Sequence, residues 1–408
     1  MRPDLAVVNA EELVTLQADD GSLGIIENGA LVAKDGRVAW TGSTAEFKRK
    51  SFAKPKKLVD ANGKLVTPGF VDPHTHLVFA GSREGELERK IAGESYVGIL
   101  SGGGGINRTV AETRKASRAR LVAEASGRLE QLVRNGVTTA EVKTGYGQSL
   151  ASELKMLDVI KSLDETGPIE LVPTFLGLHA KPPEFKNADE YVDYAIKTML
   201  PEIAKRKPAF SDCFCEDGVF SGEQCTRYLR ASKAQGLALK MHADEFADSG
   251  GASLAAEMGC TSADHLGKSG RAGIEEMARR DVTAVLLPGT SLYSAIGYAD
   301  AKMIAGAGCS IALGSDLSPN SWIESPQLVM MLACSAEKMT PADALRGVTV
   351  NAARALGRDD IGRLSVGEKA DFVVHDLPSY RFLPYRVGGN YVSAVFKEGR
   401  EVYSPQLD

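Results

Sequence analysis

The chain has 408 residues, 43% of them apolar, enough for a large buried core and more than one compact unit. A net charge of -5 and a pI near 5.8 supply no general basic face, so no nucleic-acid partner is expected. No stretch reaches the roughly 20 apolar residues of a membrane helix, and the N-terminus has no long apolar leader core. The six scattered cysteines read as reduced thiols, so a cytoplasmic protein with no membrane partner is expected.

Short strand-like runs open the chain at residues 6–9, 29–34, 37–41 and 57–60, with Asp35-Gly36 and Asn62-Gly63 as hairpin signals. Eight apolar strand candidates follow, at 65–71, 138–143, 170–176, 211–215, 238–242, 262–265, 282–287 and 310–314. Helical patterns lie between them, among others at 108–135, 149–164, 188–205, 221–234 and 274–280. This alternation predicts an α/β fold, a (β/α)8 TIM barrel. An open doubly wound sheet would want a glycine-rich turn after its first strand, where this chain has Pro73-His74-Thr75-His76. From about Gly362 short strands return, at 370–376, 391–397 and 398–403. The two ends, 1–66 and 361–408, are expected to build one small β-sandwich domain, with the barrel at 67–360.

Barrel chemistry sits at the C-terminal ends of the strands. His74 and His76 flank one residue, and alternate side chains of an extended segment share a face. His179 follows strand 3, and Cys215-Glu216 ends strand 4. His242 ends strand 5 with Glu245 three residues on, His265 ends strand 6, and Asp316 follows strand 8. His375 falls in the terminal strands and has no expected role. Three imidazoles (His74, His76 and His242) with the Asp316 carboxylate suit a divalent transition metal that keeps a place for water. Such an ion brings the pKa of water from about 15.7 to about 7. Glu245 is placed to carry the proton, and His265 and Asp316 to orient the water. Plainer readings compete: Asp316 as a turn cap, His265 as a hydrogen-bonded core residue. The residues alone reach a metal-dependent hydrolase or deaminase and stop there.

Several motifs carry a resemblance over nearly the whole chain. Pro68-Gly-Phe-Val-Asp-Pro-His-Thr-His76, then His242, His265 and Ser315-Asp316, then Asn351-Ala-Ala-Arg-Ala-Leu-Gly357, resemble the amidohydrolase superfamily. The run Gly362-Arg-Leu-Ser-Val-Gly-Glu-Lys-Ala-Asp-Phe-Val-Val374 resembles its return into the β-sandwich. Finer motifs are Phe79-Ala-Gly-Ser-Arg83, Glu141-Val-Lys-Thr-Gly-Tyr-Gly147, Thr174-Phe-Leu-Gly-Leu-His-Ala180 with Pro182-Pro183-Glu184, and His242-Ala-Asp-Glu-Phe246. They are similar to the branch that opens the ring of 4-imidazolone-5-propanoate to N-formimidoyl-L-glutamate in histidine degradation.

That resemblance implies zinc or iron, a small substrate with a carboxylate tail, and a homodimer. It implies that Arg83 grips the tail, with Tyr146, His179, Ser318, Asn320 and Ser321 as further substrate contacts. The competing reading of Arg83 is a salt bridge to Glu84 or Glu86. After strand 8 the family often has Asp-x-Asn-Pro-Gly, whereas this chain has Asp316-Leu-Ser-Pro-Asn320-Ser321. Many relatives hold two metals bridged by a carbamylated lysine or an acidic residue on strand 4; here Phe214-Cys215-Glu216 has no lysine, so one metal per chain is expected, with Glu216 or Cys215 as a bridging ligand the lesser alternative. Gly102–Gly105 reads as a hinged lid. Rival readings are a deaminase of guanine or cytosine and a non-enzymatic assembly protein that has lost the metal; the complete histidine set disfavours the second.

Overall fold

The computed structural model describes residues 2–17, 21–50, 52–94 and 104–405. The first five strands are β1 (Leu5–Val14), β2 (Ile25–Lys34), β3 (Arg37–Ser43), β4 (Lys57–Asp60) and β5 (Leu65–Pro68). The barrel strands are β6 (Phe70–Asp72), β7 (Val137–Lys143), β8 (Glu170–Leu178), β9 (Phe210–Cys215), β10 (Ala238–Ala243), β11 (Ser262–His265), β12 (Thr283–Leu286) and β13 (Ile311–Leu313). The chain ends in β14 (Phe372–His375), β15 (Val392–Lys397) and β16 (Arg400–Tyr403).

Strands β6 to β13 pair in parallel in sequence order. A bridge between Thr75 and Leu317 joins the segments after the first and last of them. Asp316 N donates to His74 O at 3.0 Å and His76 N to Leu317 O at 2.8 Å, which closes the barrel where the metal motif begins. Helices cover the outside, so strands such as β7 are buried on both faces. The helix Gly222–Ala234 shows how local sequence starts such an element: Ser221 and Gln224 form a reciprocal capping box.

The strands of the two chain ends form a second sheet of eight, ordered β16-β15-β14-β5-β1-β2-β3 with β4 beside β1. Its far edge returns on the chain before β14 through the Arg37–Lys369 bridge and Val38 N to Glu368 O at 2.9 Å. Leu5, Leu31, Val38, Val66, Phe372 and Phe396 share its separate core. Among the described residues no helix is long and apolar enough to cross a membrane.

Two expected elements divide. The run at 65–71 is two strands in two sheets, because β5 pairs with β14 while β6 pairs with β7. Gly69 sits at the switch, where an added Cβ would lie 2.3 Å from Thr138 Oγ1. The helix at 108–135 is two, Ile106–Lys115 and Arg118–Arg134, the second capped by Ser117. Residues 102 and 103 of the glycine tract lie outside the described residues, so its reading as a lid has no structural counterpart here.

Below the barrel, Glu170 at the start of β8 binds Arg358, Lys369 and Lys397, which clasps the barrel to the terminal sheet. Burial raises its pKa, but hydrogen bonds from Arg358 and Lys369 and the charge of Lys397 outweigh this and hold it at about 2. A depressed carboxylate contributes stability above its usual pKa and loses it as pH falls through the folded value. Glu170→Gln is therefore expected to cost about 1–2 kcal/mol at pH 7 and much less at pH 2, read as urea midpoints at the two pH values. An equal loss at both would contradict the clasp.

Candidate active site

The strand ends at the barrel mouth turn sharply. His265 has φ +75°, Asp316 +49° and Asp244 +53°. Non-glycine residues pay roughly 1–3 kcal/mol for such conformations, and they persist where surrounding structure fixes them. Here they sit where β10, β11 and β13 hand the chain to its loops.

His74, His76, His242, His265 and Asp316 converge there. His74, His242 and His265 each offer a ligand atom within 4.8 Å of the others, as do His74, His76 and Asp316. Asp316 Oδ1 lies 3.6 Å from His74 Nε2 and 3.5 Å from His76 Nε2. The buried nitrogens His74 Nε2 and His242 Nε2 have no hydrogen-bond partner. Unpaired buried imidazole nitrogens are costly in an apolar interior, and converging on a carboxylate they fit a divalent cation. Burial, then the Lys143 charge, holds His74 and His242 well below the usual imidazole range, so both are neutral donors. Burial pushes Asp316 up to about 7 against the Thr290 hydroxyl, which donates to its Oδ2 at 2.5 Å.

Behind these groups lies a block of buried charge. Asp264 Oδ2 is 2.6 Å from His74 Nδ1. Asp212 Oδ2 is 3.0 Å from His242 Nδ1, off the line of a hydrogen bond, since that nitrogen makes none. Lys143 Nζ contacts Asp212 at 2.8 Å, Glu141 at 3.0 Å and Asp264 at 3.3 Å. Lys240 Nζ donates to Pro73 O at 2.9 Å and Glu141 Oε2 at 2.8 Å. A third cation-sized group, His74 with Glu141 and Asp264, is thus already served by two ammonium groups. Asp72 Oδ1 accepts from His74 N at 3.3 Å and Ser315 N at 3.1 Å and ties the two ends of the barrel together.

In front is a cavity of about 490 Å³. His76, Arg83, Tyr146, His179, His242, Glu245, His265, Asp316, Ser318 and Asn320 all line it. His179 stacks on His76 with centroids 5.0 Å apart, and Tyr146 lies 5.1 Å from His179. Burial lowers His179 to about 4, which leaves a neutral imidazole at pH 7. Glu245 Oε2 is 3.6 Å from His265 Nε2. Burial first, then Asp316 and Glu216, raises the Glu245 carboxyl well above its usual range.

Arg83 forms the expected salt bridge to Glu86 and also lines the cavity. Glu86 takes its Nε at 2.9 Å and Asn320 Oδ1 lies 3.3 Å from Nη2, while the side chain still lines the cavity. Glu84 is bonded to Ser82 instead. Ser321 is not brought to the cavity: it is fully buried, and its backbone pairs with Ser318 behind the wall. His375 is a buried partner of Thr67 at 2.9 Å, far in sequence from this site.

Sequence reasoning missed the residues that hold the Glu245 loop. Glu216, weighed above as the end of strand 4 and a lesser metal-bridging alternative, accepts from Phe246 N at 2.8 Å, Ala247 N at 3.1 Å and Ser249 Oγ at 3.1 Å. Asp244 accepts from Gly251 N at 2.8 Å, Ala252 N at 3.0 Å and Ser269 Oγ at 2.6 Å. A run of acidic residues around a strand end was the available signal.

A closed barrel with this set of imidazoles and carboxylates at its mouth defines a metal-dependent hydrolase, and the chain belongs to the amidohydrolase family, whose model matches residues 65–402. Within it the chain belongs with the imidazolonepropionases. It is 45% identical to the imidazolonepropionase of Geobacillus sp. (strain WCH70) and 44% identical to that of Parabacteroides distasonis, with 98% of both chains covered in each case. An adenosine deaminase from Xanthomonas campestris, solved with bound zinc, shares the fold at TM-score 0.76 and 19% identity, covering 100% of this chain and 95% of its own. So does the 5-methylcytosine deaminase of Klebsiella pneumoniae, at 0.76 and 16%, with 99% and 98% covered.

If Glu216 fixes the loop that carries Glu245, Glu216→Gln puts an amide NH2 in place of one oxygen, so a donor faces a donor at either Phe246 N or Ala247 N, a cost of roughly 1–3 kcal/mol locally. Amide exchange over residues 244–250 is then expected to quicken by about tenfold or more. Unchanged protection of that segment would contradict the assignment.

Proposed function

We propose that the cavity at the barrel mouth is where this metal-dependent hydrolase opens the cyclic amide of 4-imidazolone-5-propanoate to N-formimidoyl-L-glutamate. The observation that carries the reading is the meeting of His74, His76, His242 and Asp316 beside unpartnered imidazole nitrogens. These four would hold one divalent ion, zinc or iron, since imidazole and carboxylate suit both. When bound, the ion supplies a Lewis acid that makes water a nucleophile at neutral pH.

The remaining steps belong to the protein. Water adds to the ring carbonyl carbon, the C–N bond of the cyclic amide breaks, and the carbonyl carbon becomes a carboxylate while the nitrogen leaves within the formimidoyl group. Glu245 takes the proton from the water and returns it to the departing nitrogen, and its raised pKa suits that exchange. His265, 3.6 Å away, orients Glu245 and the water. Asp316 both ligates and accepts a hydrogen bond from the water. Neutral His179 donates to the ring carbonyl oxygen as charge builds there, with Tyr146 beside it. Arg83 receives the propanoate tail: Glu86 fixes its Nε edge, and no described residue takes Nη1. Ser318 and Asn320 complete that end of the cavity.

The division of the chain into a terminal β-domain (1–66 and 361–408) and a catalytic barrel (67–360) belongs to the same reading. So does a cytoplasmic homodimer, the commonest closed assembly.

Three variants test the roles. His242→Ala should lose metal and activity together, measured by elemental analysis and turnover. Glu245→Gln should keep its metal and lose roughly 10²-fold or more in kcat; near-normal turnover would remove Glu245 from the chemistry. Arg83→Ala should raise KM by more than it lowers kcat, as expected for a lost charge-assisted contact worth about 1.5–3 kcal/mol. An unchanged KM would remove Arg83 from tail binding.

A further inference from the structure

We infer that Lys143 is a positioning residue for the metal site, its one ammonium group tying together the two carboxylates, Asp264 and Asp212, that back the imidazoles of His74 and His242. This rests on the reading that those imidazoles are ligands.

Four distances carry it. Asp264 Oδ2 faces His74 Nδ1 at 2.6 Å and Lys143 Nζ at 3.3 Å. Asp212 Oδ2 faces His242 Nδ1 at 3.0 Å and Lys143 Nζ at 2.8 Å. Each oxygen therefore stands between an imidazole and the same ammonium, and all three side chains are fully buried. The hydrogen bond between Asp264 and His74 Nδ1 selects the tautomer that leaves Nε2 open and fixes the ring plane, while Asp212, off the hydrogen-bond line, sets its charge beside the His242 ring. Without the Lys143 ammonium, neither carboxylate oxygen keeps the contact that fixes it against its imidazole, and both rings are held less well. Lys240 has a different post: it bonds Pro73 O and Glu141 and stands 3.9 Å from Asp264. Lys143 does not line the cavity, so it acts through its partners and not on substrate.

The test is zinc affinity of the metal-stripped full chain, measured by competition with a chromophoric chelator. Lys143→Met keeps an unbranched side chain one atom shorter and removes the charge. It is expected to bind zinc about 10–100-fold more weakly, with circular dichroism showing a folded barrel. A folded Lys143→Met that binds zinc within twofold of wild type overturns the inference. Should that variant fail to fold, Asp212→Asn, Asp264→Asn and their double variant decide the matter. Coupling through one ammonium predicts a double loss smaller than the product of the single losses, and independent losses overturn the inference. His242→Ala in the same assay separates the two readings. Retained zinc there sinks the assignment of the ligands, whereas lost zinc there with retained zinc in Lys143→Met sinks the role of Lys143 alone.

Discussion

Buried charge must be paired, and that constraint shapes the centre of this barrel. Glu141, Asp212 and Asp264 lie fully buried, and among the described residues Lys143 and Lys240 are the ammonium groups that answer them. Three carboxylates against two ammonium groups leave an excess of one negative charge beneath the neutral imidazoles. An interior of low dielectric does not tolerate such an excess cheaply. A cation on the open side of His74 and His242 would balance it. The same block that threatens stability thus prepares the position of the metal.

The division of labour above the block follows from where the chain turns. His74 and His76 arrive at the seam where the first and last barrel strands meet, so closing the barrel and building the site are one event. The Glu245 loop is held from two sides by Glu216 and Asp244, which fix a loop residue as firmly as a strand would. Arg83 stands across the cavity, held by Glu86, whose other oxygen accepts from Gly105 N at 2.7 Å.

Much of this was legible in the sequence, because the signals were local. A His-x-His after an apolar run, and a histidine at the end of a strand, can be read within a few residues. The eight strands were legible too, since parallel strands buried on both faces read as apolar runs. Most of the supporting charges were not, because the contacts of Asp264 with His74 and of Lys143 with Asp212 join residues 190 and 69 positions apart. Their trace was nevertheless present: Glu141 and Lys143 on β7, Asp212 on β9, Lys240 on β10 and Asp264 on β11 are charges on buried barrel strands and have to be shared. Nor could periodicity show that residues 65–71 change sheets at Gly69, since both halves are equally apolar. Ser318 and Asn320 line the cavity, and Ser321, hydrogen-bonded to Ser318 through its backbone, is fully buried, which no local pattern announces.

The central claim is that one ion is shared by His74, His76, His242 and Asp316. Anomalous diffraction at the metal edge, on crystals loaded with zinc or iron, tests it most directly. A single peak per chain within bonding distance of these four side chains is predicted. A peak elsewhere, or two peaks of equal height at the barrel mouth, would contradict it.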